Sequence, residues 1–374
     1  MKLLKKLLAI MIALSCVFAI TACDNDEETE LDTTKHGWAL EYEIEEEDDA
    51  SYVVITGLFL SDGEKYEISE EDYDTIDLVI GAEGKITVPV YDEDEKPVYE
   101  NDNLKTEVIE LGETHDGFKI ADAAFASQLI IGSVKIDASV VEIGATAFAG
   151  CSNIESMELP FVGEKAEGAV NANKVFAFIF GTSEATGCTS VTCSYNNSGS
   201  ATYYVPTALK EVTVNYADGI ALPEYAFNGV TTLETVTVNG ISKISKGAFG
   251  GCTGLYTVNV PSTVTEIGKA AFKNCTSLID FTIPASVEVI FQEAFSGCTR
   301  FGYGKLTVVT INAKEIHEKA FYGCTAVSSV EIPNAETIGA AAFYNCSALK
   351  SANVNASAVV ADDAFENCHE DLNK

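Results

Sequence analysis

The sequence predicts a mainly β fold with short helical or irregular turns: a solenoid of short parallel strands preceded by a small β-rich N-terminal unit. The first observation behind this is a spacing. Ala-Phe-x-x-Cys occurs in full at Phe148, Phe249, Phe272, Phe295, Phe321, Phe343 and Phe365, while Ala124-Phe125 and Ala226-Phe227 keep the Phe without the Cys. The second is a period. Outside one long gap, consecutive copies fall 22 or 23 residues apart, and once 26, which is too short for an independent domain and right for one turn of a solenoid. The third is patterning: Phe281-Thr282-Ile283 alternates apolar and polar and reads as a short strand with one face inward. Such a strand has no partner of its own. Stacking copies at about 4.8 Å pairs each with its neighbour and encloses the Phe, Leu and Ile side chains in one core.

One copy reads Ile267-x-x-x-Ala271-Phe272-x-x-Cys275-x-x-Leu278-x-x-Phe281-x-Ile283-Pro284-x-x-Val287. This resembles the BspA-type leucine-rich repeats of bacterial surface proteins, over roughly residues 118 to 368. The resemblance implies a curved solenoid of parallel strands, exposed on a cell surface and serving adhesion or binding to host or neighbouring-cell components. It implies no catalytic site.

From the N-terminus, Lys2, Lys5 and Lys6 precede an apolar run that continues to Ile20, the arrangement of an export signal over residues 1–22. The run falls short of the roughly 20 residues that span a bilayer. Ile20-Thr21-Ala22-Cys23 resembles the bacterial lipoprotein cleavage box, which implies that Cys23 becomes the lipid-bearing first residue. Residues 23–35 read as an acidic tether that lifts the folded part off the membrane. Over 36–115, an alternating run from Trp38 to Ile44 and four further strand-like runs are separated by Gly and Asp clusters such as Ser61-Asp62-Gly63. They predict either a β-rich domain or a cap that closes the first turn of the solenoid.

Residues 116–374 read as the solenoid. Its rhythm breaks between Phe148 and Phe227, so an insert is expected at about 161–206. Within it Val175 to Gly181 is too apolar for a loop and is expected to fill the core of an expanded turn. Thr182 to Thr202, rich in Ser, Thr, Gly and Asn, is expected to be a surface protrusion.

The net charge of -34 is concentrated early: residues 24–124 hold 33 acidic and 6 basic side chains. Such a field repels nucleic acid and anionic headgroups, and Arg300 is the sole arginine. Nucleic-acid binding is excluded, and the membrane is met through the lipid anchor only. Metal binding is not expected, because His36, His115, His317 and His369 are scattered and no His-x-x-x-His or Cys-x-x-Cys is present. Without a Gly-x-Ser-x-Gly elbow or a phosphate loop, the reading is of a non-enzyme with no cofactor.

The repeat cysteines occupy one phase of a stack, where equivalent side chains point the same way, so a ladder of buried thiols is expected. Cys188 and Cys193 close a short ring in the insert and are the candidate disulfide. Candidate partner-binding residues fall into two groups. Thr237, Asn259, Thr282, Thr310, Glu331 and Asn353 lie between inward strand positions and point out from the stack, although Thr and Asn also favour such ladders for structural reasons. Tyr195, Tyr203 and Tyr204, set among Ser, Gly and Asn, have the composition of antibody loops. The resulting expectation is an exported protein, lipid-anchored to the bacterial membrane and facing outside. It would act as a binding or adhesion scaffold for a host or neighbouring-cell surface protein or a glycan. Glycan capture and a purely architectural envelope role are the alternatives.

Overall fold

The computed structural model describes residues 38–47, 50–60, 75–90, 99–100, 103–111, 115–166, 172–196, 198–303 and 308–372. The export signal, Cys23 and the tether lie outside the described residues. Gly37–Lys374 forms one compact unit.

The unit is a parallel β-solenoid, as the repeats predict. Ile76–Ile80, Ile131–Ile136, Ser156–Leu159, Glu211–Leu222, Thr235–Ile244 and Thr257–Asn259 pair side by side, all parallel. Their register aligns Leu78, Val134, Met157, Val212, Val236 and Val258, all buried. The ladder therefore begins at Ile76, forty residues before the expected start of the solenoid at 116.

Each regular coil carries a second strand that the alternation at Phe281–Ile283 does not announce. Thr235–Ile244 is long enough to turn a corner, and its end pairs with Glu266–Ile267. From there Ile267, Ile290, Ile316, Ile338 and Val360 stand in line. These strands are two residues long, too short for a period-2 pattern to register. Phe281–Ile283 itself joins no ladder, and a single bridge ties Asp280 to Thr257. The Phe281 ring packs 4.9 Å from Phe272 and 5.8 Å from Phe295, at the position that Val258 and Val330 hold in other coils. The first ladder resumes at Val309–Thr310, Ser329–Ile332 and Ser351–Val354.

The third part of each coil is the Ala-Phe corner. Two residues with positive φ bracket it, for example Ala270 (φ 54) and Asn274 (φ 61) around Phe272. This double bend turns Ala and Phe inward and leaves the backbone groups lying along the stack. The Phe N–H donates to the Ala carbonyl of the next coil at 2.7–2.8 Å, from Phe125 to Ala147 and again from Phe227 to Phe343. Phe227, Phe249, Phe272, Phe295, Phe321, Phe343 and Phe365 form one column with centroids 4.9–5.3 Å apart and planes within 8°. That spacing equals the strand repeat, so the rings and the ladders are set by one translation.

The thiols complete the corner. Each Cys Sγ donates to the Phe carbonyl of the preceding coil: Cys252 to Phe227 at 2.9 Å, Cys275 to Phe249 at 3.0 Å, Cys298 to Phe272 at 2.9 Å, Cys324 to Phe295 at 3.2 Å. The side chains are buried and unlinked. A buried carbonyl thus gains a donor.

At the N-terminal end the hairpin Trp38–Glu47 and Ala50–Leu60 adds to the first coil in parallel through Ala50–Leu60 and Gly117–Ile120. Val53 and Ile55 share one core with the repeats. The hairpin thus extends the sheet that continues through Gly117–Ile120 and Val140–Ile143.

The insert departs most from expectation. Phe176–Phe180 forms a short 3-10 turn whose Phe176, Ala177, Ile179 and Phe180 are buried. It substitutes for a corner: Phe148 N–H donates to Ile179 O, and Phe176 N–H to Ala226 O. Thr182 to Thr202 is not a protrusion. Cys188–Ser194 and Ser200–Pro206 form an antiparallel hairpin laid against the solenoid with Val191, Cys193, Tyr203 and Val205 buried. The period-2 alternation of these four was masked by the Ser and Thr between them.

Candidate functional site

The outward row is real but broken. Val79, Lys135, Glu158, Thr213, Thr237 and Asn259 stand in register across the first ladder, and Thr310, Glu331 and Asn353 across its resumption. Thr282 lies between the two stretches, exposed and in neither ladder. Much of the first stretch is occupied with itself. Lys135 Nζ meets Glu158 at 2.9 Å, Asn215 Nδ2 donates to Glu158 at 2.8 Å, Asn239 Nδ2 to Asn215 at 2.8 Å, and Asn259 Nδ2 to Thr237 Oγ1 at 3.1 Å. Such chains hold neighbouring strands in register.

The insert tyrosines do not form a presented cluster. Tyr203 is only 4% exposed, its hydroxyl donates to Ala172 O at 3.3 Å, and burial pushes that hydroxyl up to about 12. Tyr195 is half-buried against the core and Tyr204 is half-buried as well. Alternation along the strand places Tyr203 inward and Tyr204 outward. The candidate disulfide between Cys188 and Cys193 is also corrected. Both lie on one extended strand opposite Pro206 and Ala201; five residues of strand span about 16 Å and place the side chains on opposite faces, far beyond the reach of a disulfide. Cys193 is a core thiol instead, raised to about 12 by burial, and Cys188 is half-buried and raised by the same cause.

A groove that the sequence did not suggest runs between the hairpin and the Ala-Phe corners. It encloses about 490 Å³ between Ser190 and Thr192 on one side and Asn228, Gly229, Gly250 and Lys273 on the other. Gly229 makes this approach possible. A Cβ there would sit 2.1 Å from Thr192 O, and its φ of +74° already favours glycine. Asn228 ties the two sides together, accepting from Ser194 N–H at 2.9 Å and donating to Gly250 O at 2.8 Å. The available signal was Asn-Gly directly after Phe227, where neighbouring copies carry Gly-Gly or Lys-Asn. Among the described residues no group of three or more His, Cys, Asp or Glu is placed to hold a metal ion.

Stacked coils with a buried Phe column, two short parallel ladders and a 22- to 26-residue unit define a leucine-rich-repeat solenoid. The chain belongs to the BspA-type leucine-rich repeat family: the family model described as BspA type Leucine rich repeat region (6 copies) matches residues 118–216, 220–311 and 300–371. No curated protein matches the sequence significantly. Among solved structures the chain is similar to a leucine-rich repeat protein from Bacteroides ovatus, at 19% identity over 91% of this chain and 80% of that one, with a TM-score of 0.38. It is also similar to a leucine rich cell surface protein from Faecalibacterium prausnitzii, at 17% identity over 84% and 93%, TM-score 0.30. The pneumococcal vaccine antigen PcpA is similar at 14% identity over 87% and 89%, TM-score 0.29.

Proposed function

We propose that the protein is an exported, lipid-anchored scaffold that holds a protein of a host or neighbouring cell at the bacterial surface, without chemistry of its own. The observation that carries this reading is the hairpin Cys188–Ser194 and Ser200–Pro206 folded over the Ala-Phe corners with an open groove beneath its edge. Other consecutive coils stack without such an insert. Its strand alternation buries Val191, Cys193, Tyr203 and Val205 and leaves Ser190, Thr192 and Thr202 exposed, so the hairpin builds an outer surface as well as core. The self-bonded row of Glu158, Asn215 and Asn239 supports a structural role for that face and directs the binding role to the hairpin.

Two measurements test the proposal. Ser190→Arg combined with Thr192→Arg is expected to abolish recovery of the partner from surface extracts and to reduce cell attachment, with an unchanged melting temperature. Glu331→Arg is expected to leave both intact. Attachment that survives the hairpin substitutions removes the hairpin from the binding account. For the anchor, fatty-acid labelling is expected to vanish in Cys23→Ser, and retained label refutes lipidation at that residue.

A further inference from the structure

Of the phenylalanines whose side chains are described, Phe291 alone joins no part of the core. It follows Ile290, at a place that neighbouring coils fill with Ser245, Gly268 and Gly339. A Cβ on Gly268 or Gly339 would lie 2.7 Å from backbone of the adjacent coil, so this position elsewhere has no room for bulk. Here the chain instead carries two rings, Phe291 and His317, with centroids 5.0 Å apart, planes tilted by 43° and both half-exposed. An aromatic ledge that no core requires is open to a ligand.

The ledge borders a groove of about 330 Å³ whose walls include Lys243, Lys246, Lys269 and Phe291, a volume at the small end of ligand sites. Lys243 Nζ lies 5.8 Å over the Phe291 ring and also pairs with Glu266. Three further carboxylates bear on the site. Glu315 lies 3.3 Å from His317 Nε2. Glu224 lines the groove, and Glu318 is held by Lys319 at 2.8 Å and Gln292 at 3.2 Å. Lysine still outnumbers carboxylate in the groove, in a chain of net charge -34. Residues 235–273 contain four lysines and one acidic residue, Glu266. The bulk negative charge does not cancel this surplus at a distance, because charges more than about 8 Å apart are screened at physiological ionic strength.

We propose that this groove binds an acidic saccharide, with a sugar ring laid on the Phe291–His317 ledge and its carboxylate or sulfate held by Lys246 and Lys269. The apolar face of a sugar suits a ring ledge, and its anion suits a compact set of ammonium groups. An acidic peptide would use the lysines but leave the ledge idle. The site is lined by other residues than the hairpin strand and stands whether or not that hairpin binds protein.

The test uses the whole protein with three fluorescent probes, oligogalacturonate, chondroitin sulfate and neutral dextran, and poly-glutamate as competitor. At least one acidic saccharide is expected to bind, more weakly as salt rises, and dextran is not. Which of the two binds identifies carboxylate or sulfate as the recognised anion. Phe291→Ala is expected to weaken binding by about five-fold or more without lowering the melting temperature, since the ring supports no core. Lys246→Ala with Lys269→Ala, on a half-exposed and an exposed position, is expected to remove the salt dependence. Affinity unchanged in both variants, dextran binding as well as the acidic probes, poly-glutamate competing as strongly as the saccharide itself, or no binding of either acidic saccharide would overturn the proposal.

Discussion

The coils from Phe227 to Phe365 and the interrupted stretch from Phe148 to Phe227 solve the same problem in different ways. In the regular coils the corner is built the same way each time: the Phe column is evenly spaced, and every Cys thiol donates to the carbonyl of the coil before it. In the interrupted stretch the corner is rebuilt from Phe176 to Phe180, with Phe176 and Phe180 at 5.5 Å and 66° and Phe176 meeting Phe227 at 36°. Stacking continues there through the parallel pairing of Ser156–Leu159 with Glu211–Leu222, while the corner is filled by tilted rings. Periodicity therefore supplies stability at low cost in information, and the break in it marks where the chain spends residues on a new surface.

The largest expected effect separates the buried thiols from the half-buried one. Burial raises Cys252, Cys275 and Cys324 in the regular coils well above the ordinary thiol value and Cys193 in the insert to about 12, whereas Cys188, raised by the same cause, is only half-buried. A thiol whose folded pKa is raised stays protonated in the folded chain while the unfolded chain loses its proton. Its contribution is thus fully present below the unfolded value, about 8.5, and is lost as pH rises from there towards the folded pKa. The slope is about 1.4 kcal/mol per pH unit for each such thiol. Denaturant midpoints at pH 7.5 and 10 are expected to fall steeply in the parent protein and less steeply in Cys275→Ala, with Cys188→Ser leaving the slope nearly as it was. A slope equally sensitive to Cys188 would erase the distinction between buried and half-buried thiols.

A pair of glycines sharpens the comparison further. Gly323 in the regular coils has φ +71° and nothing within 4 Å of a would-be Cβ, whereas Gly229 has φ +74° and would drive a Cβ to 2.1 Å from Thr192 O. Gly323→Ala is expected to cost about 1–2 kcal/mol for its left-handed backbone alone. Gly229→Ala is expected to add about 1–3 kcal/mol of overpacking and to lift the hairpin, seen as faster proteolysis within residues 182–202. Equal costs for the two would mean that the hairpin is not seated on the corner.

What could be read from the sequence follows the same division. The coil period, the inward Phe and Cys and the outward row were legible because identical residues recur at fixed spacing, so a single copy's pattern was checked many times over. The two-residue strands at Glu266–Ile267 and its equivalents were not, since they are shorter than one alternation. The hairpin was hidden for the opposite reason. Val191, Cys193, Tyr203 and Val205 do alternate, but they occur once, amid Ser and Thr that favour loops and edge strands alike. Phe291 and His317 could have been noticed as bulky residues at a position held small in neighbouring copies, and that reading needs the second ladder to be known first.

The smallest effect concerns the outward row, where the regular ladder and a binding surface compete for the same side chains. Asn239 donates to Asn215, which donates to Glu158, which pairs with Lys135. All of these bonds lie at the surface, so each is worth about 0.5–1 kcal/mol net. Asn239→Ala is expected to lower stability by about that much in a denaturant titration and to leave partner recovery unchanged. The informative reversal is an Asn239→Ala protein as stable as the parent but defective in attachment. That result would mean that the amides face a partner more than each other, and it would move the binding surface from the hairpin to the strand row.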